Sequence, residues 1–249
     1  MEVFEMPVIY EPKGRAREYA DLAANLYSGC GHGCIYCYAP DATRKERKAF
    51  YTDPRPRNNI LAELKKDSQK LKGQNVPPVL FSFTTDPYQP IDSKYGLTRQ
   101  GIQTLHEYGI PVEILTKGGM RAARDFDILT ERDAFATTLT FINPEQSLEW
   151  EPCAALPDDR MEAMRLAHSK GIRVWASLEP VIDPEQSLEL IRMTYKFVDL
   201  FKVGKLNHHP HAAQIDWYEF GWKAKKLLEG MGCNYYLKHD LRQVMKITA

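Results

Sequence analysis

The chain has 249 residues, 43% of them hydrophobic, and carries 33 basic and 33 acidic side chains for a formal net charge of zero. A chain of this size buries a substantial core without disulfide staples, and its neutrality argues against wrapping duplex DNA by charge alone. Met1-Glu2-Val3-Phe4-Glu5 lacks the basic stretch and apolar core of a secretory signal, and the longest apolar runs, such as 77–83, are too short for a membrane span, so the expectation is a cytoplasmic protein.

Strand-like and helical stretches alternate along the chain. Residues 22–26 read as a first strand that runs into a cysteine-rich loop. Asn58 or Asn59 caps a helix with Ile60, Leu61, Leu64 and Leu71 on one face. Residues 79–84 are a short β-rich run, and 98–108 a helix stopped by Gly109. Residues 112–116 are a strand ended by Gly118-Gly119, followed by a helix to about residue 130. Next come a strand at 135–142, a helix at 158–169 ended by Gly171, and a strand at 172–178. A short helix from Pro184, a strand at 198–203, a helix from about 214 to 228 and a final strand at 235–237 complete the pattern.

Such alternation calls for parallel strands joined by right-handed helical crossovers. The run Asn143-Pro144-Glu145-Gln146-Ser147-Leu148-Glu149 returns as Asp183-Pro184-Glu185-Gln186-Ser187-Leu188-Glu189, which reads as shared helix-start chemistry: a cap, a first-turn proline and an acid against the dipole. The spacing between the copies matches one strand–helix unit, so about six units fit after residue 22. A full eight-unit barrel would leave no room for the cysteine loop and lead-in. The expected fold class is α/β, a partial barrel in a single domain over residues 1–249.

Five cysteines, three of them within eight residues, point to metal or redox chemistry rather than to disulfides. Cys30, Cys34 and Cys37 can bind three irons of a cubane cluster, while Gly29, Gly31 and Gly33 let the backbone bend around it. Three protein ligands leave one iron open, the mark of a reactive centre. Zinc is the competing reading, with His32 as fourth donor. Against it, there is no second Cys-x-x-Cys, and the isolated Cys153 and Cys233 read as buried apolar fillers.

The spacing Cys-x3-Cys-x2-Cys, with Tyr36 just before the last cysteine, resembles the radical S-adenosylmethionine (radical SAM) superfamily. Glu11-Pro12-Lys13-Gly14, Glu18-Tyr19, the run 25–40, Thr85-Asp86-Pro87-Tyr88-Gln89-Pro90, Thr116-Lys117 and Ser177-Leu178-Glu179-Pro180 resemble the branch related to spore photoproduct lyase. The resemblance implies a partial (β/α)6 TIM-like barrel with a 4Fe–4S cluster on the three cysteines. It also implies that S-adenosylmethionine chelates the open iron, and that an electron from a flavodoxin or ferredoxin cleaves it to methionine and a 5′-deoxyadenosyl radical. By the same resemblance Tyr36 packs near the adenine, Thr84, Thr85 and Asp86 meet the methionyl amine, and Lys117 pairs the carboxylate. Ser177 and Glu179 would reach the ribose hydroxyls, with Gly204, Lys205 and Asn207 as further candidates.

The lyase's hydrogen-donating cysteine near the end of the second strand has no counterpart in Leu80-Phe81-Ser82-Phe83-Thr84. Tyr88 and Cys153 are the candidate hydrogen-atom donors in its place. Three functional readings stand: modification, isomerisation or repair of a thymine-type pyrimidine in DNA; radical chemistry on a peptide or small metabolite; and a zinc or iron–sulfur nucleic-acid-binding module without catalysis. Arg44, Lys45, Arg47, Lys48, Phe50, Tyr51, Arg55 and Arg57 form a basic–aromatic strip suited to nucleic acid. His208, His209 and His211 lack the spacing of a helical metal pair and read as a polar rim loop.

Overall fold

The computed structural model describes residues 7–247; the acidic opening read above for targeting lies outside them. Its strands are β1 (Leu22–Ala24), β2 (Tyr27–Ser28), β3 (Arg55–Pro56), β4 (Val79–Phe81), β5 (Val112–Thr116), β6 (Ala134–Thr138), β7 (Arg173–Leu178), β8 (Leu200–Val203) and β9 (Tyr235–Leu237). Its helices are α1 (Ala39–Ala42), α2 (Arg47–Thr52), α3 (Ile60–Leu71), α4 (Asp92–Tyr95), α5 (Leu97–Glu107), α6 (Pro144–Trp150), α7 (Pro157–Ser169), α8 (Pro184–Thr194), α9 (Trp217–Gly230) and α10 (His239–Val244). Among the described residues no helix is long and apolar enough to cross a membrane.

Seven strands form one parallel sheet in the order β1-β4-β5-β6-β7-β8-β9, each laid beside its predecessor. This is the expected α/β architecture, a (β/α) sheet left open between β1 and β9. Residues 10–18 run from one open edge to the other. Tyr10 exchanges two backbone hydrogen bonds of 2.9 Å with Ala23 of β1. At the far edge Glu18 Oε1 accepts from the Tyr236 hydroxyl at 3.0 Å and from the His239 N–H at 2.6 Å.

Side chains alternate across the sheet, and the strand register sorts the inner face into rows. Leu80, Glu113, Ala134 and Arg173 form one row, and Leu115, Ala136, Trp175 and Leu200 the next. Ala23, Ala134 and Ala136 leave space that Trp175 fills, with Tyr10, Tyr19 and Phe83 packed against it. The other face and the helices bury the larger core, which includes Phe81, Ile114, Phe135, Val174 and Phe201.

Several elements depart from the sequence reading for identifiable reasons. The first strand breaks at Asn25, whose side chain bonds the β4 loop, and β2 then pairs antiparallel with β3. The helix expected after Gly118-Gly119 is only a 3-10 turn, Gly119–Asp125; paired glycines are poor helix formers, and Met120 N–H donates to Asp159 at 3.0 Å. The strand expected over 135–142 stops at Thr138. Helix α10 was not anticipated. The repeated Asn/Asp-Pro-Glu-Gln runs are helix caps as expected: Asn143 accepts from the Glu145 and Gln146 N–H groups, and Asp183 from those of Glu185 and Gln186.

Asp133 locks β5 to β6. Its carboxylate accepts from Val112 N–H at 2.7 Å, Thr130 N–H at 2.7 Å, the Thr130 hydroxyl at 2.8 Å and His106 Nε2 at 3.1 Å. Burial works to raise its pKa, but the hydrogen bonds from His106, Val112 and Thr130 outweigh it and hold the group below the usual range. Asp133→Ala is expected to lower unfolding free energy by about 1–3 kcal/mol in urea melts at neutral pH. A depressed folded pKa stabilises above the unfolded value and loses that contribution as pH falls through the folded one. The difference between wild type and variant should therefore persist down to about pH 5 and shrink below about pH 4.

Candidate active site

The cysteine loop leaves the sheet at Asn25. The Asn25 Oδ1 accepts from Phe83 N–H at 3.1 Å and Thr84 N–H at 2.9 Å, and its Nδ2 donates to the Tyr10 hydroxyl at 2.8 Å. The chain then turns at Gly29, with φ of 86°, where a Cβ would stand 2.7 Å from the Phe50 carbonyl oxygen; glycine alone permits this approach of α2. Helix α2 lies along one side of the loop: Cys30 N–H donates to Phe50 O at 3.0 Å, the Tyr51 hydroxyl to Cys34 O at 2.9 Å, and Arg47 Nη1 to Cys37 O at 3.0 Å. On the other side Gln89 accepts from Gly31 N–H at 2.8 Å and donates to Gly29 O at 3.1 Å.

The backbone of the loop is therefore held from both sides. Cys34 is buried, and Cys30 and Cys37 are half-buried. Burial pushes the Cys34 thiol up to about 12, against the pull of Lys117, and also raises Cys30 and Cys37.

Asp86 joins the β4 loop, the end of β5 and the cysteine loop. It accepts from the Thr116 hydroxyl at 2.6 Å, Lys117 N–H at 2.7 Å and Tyr88 N–H at 2.8 Å, and faces His32 Nδ1 at 3.4 Å. The other His32 nitrogen meets Arg121 at 3.0 Å. Burial lowers the His32 pKa to about 4 despite Asp86, so the ring is neutral near pH 7. Among the described residues no three His, Cys, Asp or Glu side chains converge on a point that could hold one metal ion.

A buried ion pair braces the loop from the β6 side. The Tyr36 hydroxyl donates to Glu151, which also accepts from Thr140 at 3.0 Å and pairs with the buried Arg160. Arg160 donates further to Ala155 O at 2.7 Å and Thr138 O at 3.0 Å. Burial alone would raise the Glu151 carboxyl, but Arg160 and Lys117 hold it below its usual range. The Lys117 ammonium lies 5.7 Å from the centre of the Tyr36 ring.

At the ends of β7, β8 and β9 a second polar group assembles. Tyr19 donates to Glu179 at 2.6 Å and lies 2.8 Å from the Ser177 hydroxyl, while Lys238 pairs with Glu179 and sits 3.8 Å above the Tyr19 ring. A Cβ on Gly204 would stand 2.5 Å from Glu179 Oε1. Lys202, its pKa lowered by burial, donates to Tyr19 O at 2.8 Å. Tyr19 packs 6.1 Å from Phe83, and the exposed Tyr38 donates to Phe83 O at 3.0 Å, so this group adjoins the cysteine loop.

The structure thus gathers Tyr36, Asp86 and Lys117 against the cysteine loop, and Ser177 with Glu179 across the mouth. Thr84 stands on the loop pinned by Asn25. The Tyr88 hydroxyl is buried and donates to Asp125 at 3.0 Å. Cys153 is exposed rather than a buried filler, and its N–H donates to His32 O at 3.0 Å. Phe50 of the basic–aromatic strip is only 1% exposed. The His209 and His211 rings lie tilted and edge-on to Trp150 at 5.1 and 5.5 Å, beside a cleft of about 490 Å³ lined by Phe141, Trp150, Ile182, His211 and Phe220.

Sequence reasoning missed Glu151, Arg160 and Lys238, and gave Gln89, Asn25 and Tyr19 no role. Arg160 carried a signal: it stands one residue before Met161 on a helix whose Met161, Met164 and Ala167 face the core, and a charge in such a stripe implies a buried partner.

The family model described as the Radical SAM superfamily matches residues 24–198. An uncharacterized protein of Methanocaldococcus jannaschii is 26% identical over 191 residues, covering 76% of this chain and 71% of that protein. A spore photoproduct lyase mutant with bound AdoMet and dinucleoside spore photoproduct superposes with a TM-score of 0.68 at 14% identity, covering 90% of this chain and 78% of that one. Streptococcus suis SuiB bound to precursor peptide SuiA gives 0.66 at 13% identity, covering 90% of this chain and 50% of that one.

Removing one member of the Glu151–Arg160 pair strands a buried charge. Arg160→Met should cost about 3–5 kcal/mol of stability in the metal-free chain, and the double variant with Glu151→Gln should recover part of it. Thermal unfolding measures both.

Proposed function

The chain belongs to the Radical SAM superfamily, and on that premise we propose that Cys30, Cys34 and Cys37 hold a 4Fe–4S cluster in an enzyme that abstracts hydrogen from a thymine-type pyrimidine. The observation that carries the cluster is the donor set. Three thiols stand on one loop pinned on both sides, and metal replaces the protons that burial would otherwise keep on them. A cubane takes each thiolate on a separate iron, so convergence on one point is not required. Zinc needs four donors at about 2.0–2.3 Å from a single ion, and both His32 nitrogens are already engaged.

When bound, the cluster and S-adenosylmethionine supply a 5′-deoxyadenosyl radical as the hydrogen-abstracting agent. The residues of the chain bind and orient. Lys117 is the cation for the methionyl carboxylate, its backbone N–H fixed by Asp86. Asp86 enters as the group that orients Thr116, Lys117 and His32, its oxygens already engaged, and Thr84 lines the same loop. Tyr36 stands beside the adenine site, held by Glu151. Ser177 and Glu179 accept the ribose hydroxyls, with Tyr19 and Lys238 fixing the Glu179 carboxylate.

The exposed Tyr38 ring, held at Phe83 O, supports a flat heterocycle as substrate, since a free ring face accepts a base by stacking. Cys153, exposed beside His32, is the candidate to return a hydrogen atom; the Tyr88 hydroxyl is turned toward Asp125. A peptide or small metabolite is the second reading, favoured by the burial of Phe50, which removes a stacking ring from the strip once read for DNA. In either case an acidic flavodoxin or ferredoxin is the electron source.

Alanine at Cys30, Cys34 or Cys37 should each abolish iron and acid-labile sulfide content, whereas Cys153→Ala should keep both. Gly204→Ala should displace Glu179 and weaken S-adenosylmethionine binding at unchanged iron content, as read by equilibrium dialysis. Anaerobic turnover with deuterated thymidine oligonucleotide, peptide and metabolite pools should transfer deuterium into 5′-deoxyadenosine from the true substrate class. An iron-free chain, or one that never binds the sulfonium, overturns the proposal.

A further inference from the structure

We propose that α2 and the adjoining outer side of the cysteine loop are the docking surface for an acidic one-electron carrier protein, not a nucleic-acid track. The inference rests on the cluster reading above. Its first support is proximity. Helix α2 bonds the loop directly, through Phe50 O to Cys30 N–H, Tyr51 to Cys34 O and Arg47 to Cys37 O. The two backbones approach closely at Gly29, where a Cβ would stand 2.7 Å from Phe50 O. The opposite side of the loop is taken up by Gln89 and the Asp86–His32 pair, which leaves the α2 side for a carrier.

Charge is the second support. Between residues 41 and 57 six cationic side chains stand against three anionic ones, in a chain whose net charge is zero. Arg47 pairs with Asp41 at 3.0 Å and Arg55 with Asp53 at 3.0 Å. Among the described residues Arg44 and Lys48 are exposed and their side chains have no hydrogen bond or ion pair. They are the cations free to meet an acidic partner. Glu46 caps α2 through the Lys48 and Ala49 N–H groups, so the helix presents these cations from a fixed frame.

Surface chemistry is the third. Ile35, next to the Cys34 whose carbonyl Tyr51 of α2 bonds, is 44% exposed. An exposed apolar centre with a cationic rim suits a small, transient redox interface, where rim charge sets encounter rate and salt dependence. A nucleic-acid strip would need its rings at the surface, but Phe50 is buried and the Tyr51 hydroxyl is bound to Cys34 O.

The step transfers one electron: the carrier, a reduced flavodoxin or ferredoxin, is oxidised by one electron and the cluster is reduced by one, with no atom exchanged. The test uses the cluster-loaded chain and the Arg44→Glu/Lys48→Glu variant. Binding of an oxidised flavodoxin and of an oxidised ferredoxin is measured without S-adenosylmethionine or turnover, across a salt series. The variant should bind the carrier about tenfold or more weakly, with a flatter salt dependence. S-adenosylmethionine cleavage driven by the carrier should fall in proportion, while cleavage driven by dithionite stays unchanged. Equal carrier binding by both proteins overturns the proposal. So does failure of the unaltered chain to bind either carrier, or a loss confined to single-stranded oligonucleotide binding. A chain that takes up no cluster fails the underlying reading instead, and iron content separates the two failures.

Discussion

A parallel sheet that stops short of closing leaves two strand edges and an inner face without cover, and residues 10–20 answer both needs. Tyr10 pairs with β1, Glu18 bonds Tyr236 and His239 at the β9 edge, and Tyr19 enters the interior beside Trp175. Unpaired edges are sites of wrong association, and a lumen lined by alanines needs filling. The same segment that meets these demands carries the Tyr19 hydroxyl to Glu179 and Ser177. Closure of the sheet and the shape of the mouth therefore depend on one stretch of chain.

The cysteine loop shows the complementary economy of backbone contacts. Helix α2 and Gln89 hold its carbonyls and N–H groups from both sides. Around it the charged groups occur as satisfied sets: Glu151 with Arg160, Tyr36 and Thr140, and Asp86 with Thr116, Lys117, Tyr88 and His32. Buried charge is tolerable only when paired and hydrogen-bonded. Each set joins the end of a different strand to the loop, so the position of the cysteines is determined by β4, β5 and β6 together.

Local chemistry explains what was legible beforehand. The strands at 112–116 and 235–237 fall at the residues read for them, because short β-rich runs with a glycine close to one end leave little choice. The two Pro-Glu-Gln caps were equally local, since a cap bonds N–H groups two and three residues on. The stretch after Gly118-Gly119 misled because its conformation is decided by Asp159 and Ala155, about forty residues away. Cys153 misled likewise: an isolated cysteine has no periodic neighbours to report its exposure.

The sequence by itself determined the alternating α/β order, the family resemblance and the cysteine triplet, since each is written in spacings of a few residues. Tertiary structure alone decided which side chains stand against that triplet. Tyr19 and Glu179 are 160 residues apart, and Tyr36 and Glu151 are 115 apart. Such pairs form when strand register and crossovers bring distant loops to one end of the sheet, and no local propensity encodes that meeting.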